Sequence, residues 1–412
     1  MNGQKAGDAV TSGLPRWSGA KLAVLVSGNL LLTFVMSAVM PAAAAIAAHF
    51  ADTSHGALLA QTIITAPNAA MIFGAPVAGY LAERVGRRPI LLAALILYAL
   101  AGGAGIWLED FVPLATARAL IGLAAGAIST LSFTLSGDYY EGAARTRALG
   151  WVGAAPAAGS VVALLLGGVV VDHGGWHAIF WIYLTAIPVL ILAAIAIDEP
   201  ARPFARTAGT GALPRNFLLV YLLAVGVAVM AITPGVQVPF LLAEHGIHNA
   251  TLIALLITCT AVVATVTAGA YTLLRRRLSI EGVLAMMLAP AAASYFLLAF
   301  EQGVPMVALG LAVCGVPAGL MIPHMAAIAM EKASDAARSR AVGLAIGGVY
   351  LGQFVIPFVT EPIRTALGSH QMFGVLAVVL VAASVAAAIA SRGTRPTGQQ
   401  PVSLSRSFTV HR

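Results

Sequence analysis

Twelve separate stretches of this chain are each long and apolar enough to cross a bilayer, and no other feature of the sequence constrains its fold as severely. They fall at about 21–48, 57–81, 90–108, 113–137, 148–171, 177–197, 216–242, 250–274, 280–300, 305–330, 341–361 and 370–391. Each is near the ~20 residues that a helix needs to span the hydrocarbon core. Inside lipid a backbone N–H or C=O has no water to bond, so such segments are expected as helices. Only 9% of the residues are charged and 59% are hydrophobic, whereas soluble domains carry about 25% charged residues. That excludes a soluble globular fold. Lys21, the apolar run after it and the small residues Ala43 to Ala48 imitate a signal peptide, but the run is too long for one and reads as a retained first helix.

The charges orient the chain. All Lys and Arg except Arg118 and Arg364 fall in the tails or in every second loop, and the positive-inside bias then puts both termini in the cytoplasm. The formal net charge of +7 therefore sets topology and faces anionic lipid, and does not point to nucleic acid. Trp107, Trp176 and Trp181 fall at outer span ends and Trp17 and Trp151 at inner ones, as an interfacial belt requires. The two cysteines, Cys259 and Cys314, lie inside apolar runs and imply no disulfide framework. The resulting division is a cytoplasmic tail at 1–20, a six-helix half at 21–197, a polar linker at 198–215, a second six-helix half at 216–391 and a basic tail at 392–412.

Between the second and third runs stands the first dense charge cluster, Gly79-Tyr80-Leu81-Ala82-Glu83-Arg84-Val85-Gly86-Arg87-Arg88-Pro89. Gly79 lets a neighbouring helix approach closely, Gly86 permits a tight reversal, and Pro89 suits the first turn of the next helix. The spacing G-x-L-A-acid-R-x-G-R-R resembles the signature loop between helices two and three of the major facilitator superfamily of transporters. Gly79, Leu81, Glu83, Arg84, Gly86, Arg87 and Arg88 match it, with Glu83 where the family usually has Asp. The resemblance implies two parallel six-helix halves and alternating access. It also implies that Glu83 meets the N-terminus of the helix beginning near Arg340, and that Arg87 pairs with Asp138, when the cytoplasmic side is closed.

The halves repeat. Residues 121–150 align with 314–343, pairing Gly122 with Gly315, Gly126 with Gly319 and Asp138 with Glu331. Within them Ala143-Ala144-Arg145-Thr146-Arg147-Ala148-Leu149-Gly150 faces Ala336-Ala337-Arg338-Ser339-Arg340-Ala341-Val342-Gly343. Parallel repeats about an axis along the membrane normal suit this transporter fold. The loop signature is only weakly echoed in the second half, by Gly269 and Arg275 to Arg277 without an acid.

Polar side chains inside a span are costly and tend to turn inward. They are Asn29, Gln61, Asn68, Arg118, Gln237, His324 and Gln353, in spans one, two, four, seven, ten and eleven. Spans three, six, nine and twelve have none, which matches the peripheral helices that the resemblance implies. Arg118, followed by Gly122 and Gly126, resembles the family's fourth-helix motif and is expected in the cavity, its charge available to an anionic group or to a nearby acid. Pro156 and Gly159 keep part of a fifth-helix antiporter pattern, while Ala155 and Ser160 depart from it; a simple proline kink and an antiporter-like element both stand. His324 serves either as a packing residue or as a proton carrier. The amides are helix-to-helix glue one by one, and together mark a cavity. Glu244-His245-Gly246-Ile247-His248 is set aside as a metal site because a third ligand at useful spacing is missing from the sequence.

A zinc H-E-x-x-H, a G-x-S-x-G elbow and a phosphate-cradling loop are all missing, so catalysis has no candidate residues and no cofactor is expected. All acids are expected at helix ends or in loops. The reading is a monomeric transporter of the cytoplasmic membrane that moves a small amphipathic drug- or metabolite-like solute, with protons as coupling ion, outward. Uptake of an organic anion paired with Arg118 is the alternative within the same fold. A non-transporting sensor is the alternative outside it.

Overall fold

The computed structural model describes residues 18–53, 55–200, 217–334 and 337–391, and all regular elements among them are helices. Most of the expected tail at 1–20, the linker beyond Pro200 and the tail at 392–412 lie outside the described residues. The helices are α1 (Ser18–Ser37), α2 (Ala43–His49), α3 (Gly56–Val85), α4 (Arg87–Ala104), α5 (Phe111–Tyr139), α6 (Gly142–Ala178) and α7 (Ala186–Ala196) in the first half. The second half holds α8 (Phe217–Glu244), α9 (Ala250–Arg277), α10 (Ile280–Ala299), α11 (Val304–Lys332), α12 (Arg338–Leu367) and α13 (Ser369–Ser391).

Three boundaries depart from the hydropathy. The first apolar run is two helices, because Pro41 lies in a 3-10 turn, Met40–Ala42, that separates α1 from α2. The signature loop shrinks to Gly86, whose φ of 108° only glycine adopts without strain; Glu83 and Arg84 belong to α3. Arg364, expected in an outside loop, lies in the last turn of α12 and Glu361 one turn before it, where acid and base three residues apart neutralise each other on the helix.

Residues 142–196 form one helical stretch of 55 residues, far longer than the ~30 Å core requires. Gly175 breaks it with φ 71° and ψ 176°. Both ends lie together, since the Tyr139 hydroxyl, just before α6, donates to the Asp198 carbonyl, just after α7. The stretch therefore crosses twice, and the described residues make twelve crossings.

Helix pairing repeats between halves: α3 packs on α5 as α9 packs on α11, α1 on α6 as α8 on α12, and α4 on α5 as α10 on α11. The paired glycines do equivalent work. A Cβ on Gly122 would collide with the backbone of Pro67 in α3, and one on Gly319 with the carbonyl of Ala264 in α9. Gly122→Val is expected to lower the thermal unfolding midpoint, since overpacking costs ~1–3 kcal/mol. Gly153→Ala, with open space around it, should leave the midpoint at or above that of the parent. Helices α4, α7, α10 and α13 pack within their own halves and turn Leu100, Ile195, Phe296 and Val378 outward, each more than half exposed. The halves meet through α6 on α9 and α3 on α12.

Candidate functional site

Prolines inside the spans decide where several polar side chains go. A helix-interior proline leaves the carbonyl four residues earlier without its N–H partner, and in a bilayer another donor must supply it. Pro67 frees Ile63 O, which accepts from Arg118 Nε at 3.2 Å. Pro156 frees Val152 O, which accepts from Asn29 Nδ2 at 2.5 Å. Pro234 frees Met230 O, which accepts from the Tyr295 hydroxyl at 2.9 Å.

Arg118 is thereby committed. It is 1% exposed, and besides Ile63 it donates to Val35 O and to the Tyr183 hydroxyl, each at 2.8 Å. It ties α1, α3 and the sixth span into one half and does not face an open cavity in this conformation. Asn29 is likewise internal, its Oδ1 accepting from Ser129. His324 is fully buried in the second half, its Nδ1 3.4 Å from the Tyr271 hydroxyl, and its Nε2 has no hydrogen-bond partner among the described residues. Asn68 is buried with Oδ1 also unpartnered there, and Gln353 is half-buried.

Two of the expected residues do come together, at the boundary between the halves. Gln61 of α3 donates through Nε2 to Glu361 Oε2 of α12 at 2.8 Å. Gln237 of α8 donates to Gln61 Oε1 at 2.9 Å and to Thr360 Oγ1 at 2.5 Å. Glu361 also accepts from Arg364 Nε at 3.0 Å and Nη2 at 2.7 Å. Arg364 reaches on to Glu244 at 3.0 Å, which accepts from Ser369 at 2.7 Å. Glu361 is only 6% exposed, which corrects the expectation that all acids sit at helix ends or in loops. The signal that could have found it is the Glu361–Arg364 spacing, which lets the helix run past the apolar stretch.

The halves are joined at that same end by Asp172 of α6, whose carboxylate accepts from the backbone N–H groups of Ala250 at 2.7 Å and Thr251 at 2.8 Å. These are unpaired donors of the first turn of α9, where a negative charge is also favoured by the helix dipole. Asp172→Asn keeps the shape but loses the charge. The distance between spin labels on the facing ends of α6 and α9 is therefore expected to broaden toward longer values.

At the arginine-rich end the inner ends of α3 and α12 are largely exposed. Gly79 and Gly343 have open space where a Cβ would stand, and Glu83 is exposed. Glu83 is therefore not buried against the start of α12 in this conformation. Arg87 forms an ion pair with Asp138 although this end is not closed, which corrects the expectation that the pair belongs to the closed conformation; both residues lie in the first half, so the pair does not need the halves to meet. Arg84 lies over the Tyr80 ring at 4.2 Å, the Arg145 guanidinium sits near Gly137, and Arg147, Arg338 and Arg340 are exposed. A cleft of about 710 Å³ opens beside Glu83, Arg87, Asp138 and Arg145. The carboxylate missed from sequence here is Glu199, which follows the sixth span. It accepts from the N–H groups of Arg87 at 2.7 Å and Arg88 at 2.8 Å, and so caps α4 across the signature turn. Arg88 Nη2 donates to Ala194 O at 2.9 Å. Next to it, the hydrogen bond from Lys21 holds the Asp198 carboxyl below the usual carboxylate range.

Comparison with known proteins adds a family and a fold. A family model described as Major Facilitator Superfamily matches residues 25–280. An uncharacterized MFS-type transporter of Mycobacterium tuberculosis is 30% identical over 180 residues, 43% of this chain and 26% of the relative. The multidrug resistance protein Stp of the same species is 32% identical over 163 residues, 39% of this chain and 29% of the relative. The multidrug transporter protein MdtP of Bacillus subtilis is 29% identical over 152 residues, 37% of this chain and 27% of the relative. The matched region thus spans under a third of each relative's own length. Among solved structures, a D-xylose-proton symporter superposes with TM-score 0.71 at 16% identity, covering 93% of this chain and 100% of that one. A bacterial homologue of the human lysosomal transporter Spinster, inward-facing and unoccupied, gives TM-score 0.72 at 18% identity, covering 92% and 98%.

Proposed function

This chain belongs to the Major Facilitator Superfamily, and from that premise we propose that it exports a small amphipathic organic solute across the cytoplasmic membrane in exchange for protons. The observation that carries the reading is the asymmetry of the boundary between halves. One end is bonded shut through Gln61, Gln237, Thr360, Glu361 and Asp172, while at the arginine-rich end Glu83, Arg338, Arg340 and Gly343 are exposed. With the basic residues cytoplasmic, this is the inward-open member of an alternating pair.

In the opposite member the open end closes, and Glu83 reaches the N-terminus of α12 while Arg87 stays with Asp138. Gly79, Arg84, Gly86, Arg88, Arg145, Arg147, Arg338 and Arg340 shape that closing surface, and Pro156 interrupts the backbone hydrogen bonding of α6 within the span. Glu361 is the group through which a proton acts. A protonated carboxyl accepts the Gln61 and Arg364 donors less strongly, so protonation loosens the bonded end and favours outward opening. The relatives named as multidrug transporters support an exported, drug-like solute. Anion uptake through Arg118 has less support, because its guanidinium is already bonded to Ile63, Val35 and Tyr183.

Proteoliposomes with an acidic lumen test the reading. A lipophilic dye should be drawn into the lumen only when the protein and the pH gradient are both present, and a protonophore should stop it. Dye movement equal to that of protein-free vesicles, together with gradient-driven exchange of organic acids, would overturn export in favour of anion uptake.

A further inference from the structure

The fold assembles a set of donors that no span-by-span reading joins. His245 lies in the turn after α8, Glu301 in the turn between α10 and α11, and His370 is the second residue of α13. A ring nitrogen of each histidine and a carboxylate oxygen of Glu301 all lie within 4.8 Å of one another. We propose that these three residues bind a zinc-like divalent transition-metal ion on the face of the second half opposite the arginine-rich end.

The ground for setting His245 aside in the sequence was a missing third ligand; the tertiary structure supplies two. Each ligand is also held from behind. His245 Nδ1 lies 2.8 Å from Leu241 O, and His370 Nδ1 3.2 Å from Ala299 O. A carbonyl only accepts, so in the neutral ring each Nδ1 carries the proton and Nε2 is the nitrogen with the lone pair a metal needs. Glu301 accepts from Gly303 N–H through Oε2 at 2.7 Å, leaving Oε1 toward His245. Such backbone support of the far atom is what orients metal-binding imidazoles and carboxylates.

The competing description is a surface ion pair. His245 Nε2 and Glu301 Oε1 are 3.6 Å apart, too long for a hydrogen bond. That separation is close to the ~3.4 Å between ligand atoms around a tetrahedral ion with bonds of about 2.0–2.1 Å. The side chain of Glu301 is also 5% exposed, a costly place for a charge that a bound cation would offset. Two imidazoles and one carboxylate favour zinc, nickel or copper over magnesium or calcium, and three protein ligands leave a fourth position for water. An ion there would staple the ends of α8, α10 and α13. Glu244, which holds Arg364 and Ser369, is next to His245, so the staple would also brace the bonded end of the transport path. The binding itself does not depend on the transport reading.

The test uses the full-length, untagged protein in lipid nanodiscs, dialysed against zinc chloride with excess magnesium. One zinc per chain is expected, with two nitrogen ligands at about 2.0–2.1 Å by X-ray absorption. His370→Gln and Glu301→Gln should each weaken binding by ~tenfold or more, while His248→Gln, an exposed neighbour, should bind like the parent. Metal-free melting midpoints equal to the parent's show that the variants fold. Retention of less than a tenth of an equivalent by the parent, or equal retention by all variants, overturns the proposal and leaves a surface cluster.

Discussion

Glu361→Gln is expected to exchange solute for solute at a rate near that of the parent, yet to lose accumulation driven by a pH gradient. The carboxylate accepts one hydrogen bond from the other half, from Gln61, and two from Arg364 in its own helix. Only the first of these resists separation of the halves. A hydrogen bond to a charged acceptor contributes about 1.5–3 kcal/mol and a neutral one about 0.5–1.5 kcal/mol. Loss of the charge therefore weakens closure by ~1 kcal/mol, a roughly fivefold shift between the two conformations. In the parent a proton makes that shift; in the glutamine variant it is built in. Spin labels on the facing ends of α3 and α12 should report a separation that lengthens on acidification in the parent and is already long, and insensitive to pH, in Glu361→Gln. Gln61→Ala removes the bonds to both Glu361 and Gln237 and should lengthen it further. His324→Gln should keep gradient-driven transport, because His324 is sealed inside the second half. Gradient-driven transport lost in His324→Gln and kept in Glu361→Gln would move the proton to the histidine.

Arg118→Ala should fail as a folded protein before it fails as a transporter. It strands the carbonyls of Ile63 and Val35 and the Tyr183 hydroxyl, and unsatisfied buried groups cost about 1–3 kcal/mol each. It also empties the space of the largest fully buried side chain, and large-to-small core changes cost about 2–5 kcal/mol. Relief from burying a cation, about 2.5–3.5 kcal/mol on insertion scales, offsets only part of this. A markedly lower melting midpoint in detergent and a poor folded yield are expected. Arg118→Lys keeps the buried charge but loses the planar fork that reaches three acceptors at once, so it should not rescue. An Arg118→Ala protein that melts like the parent while failing to transport would return the arginine to a role facing solute.

The spans, their number and the placement of the arginines were determined by the sequence alone, because the bilayer enforces them locally. A run of about 20 apolar residues has no alternative but to become a helix that crosses. The glycine repeat was legible because it recurs along the chain, although the helices that Gly122 and Gly319 touch, α3 and α9, are decided only by the tertiary structure. The signature cluster likewise identified its own turn at Gly86, and the resemblance it carries named the Arg87–Asp138 pair, though not the conformation in which it forms. What the sequence could not decide were partners set by the packing of distant spans. Arg118 looked free because Val35, Ile63 and Tyr183 lie 55 to 83 residues away, and the carbonyl that needs it is exposed only by Pro67 on another helix. Glu361 looked like a helix end because hydropathy falls there, although its charge is satisfied by Gln61, 300 residues earlier. Glu199 caps a helix begun 112 residues before it, and His245, Glu301 and His370 meet only where three hairpins end side by side. Apolar transfer free energy is a property of each segment, so it can be read along the chain; satisfaction of a buried polar group is a property of two segments, so only the tertiary structure decides it.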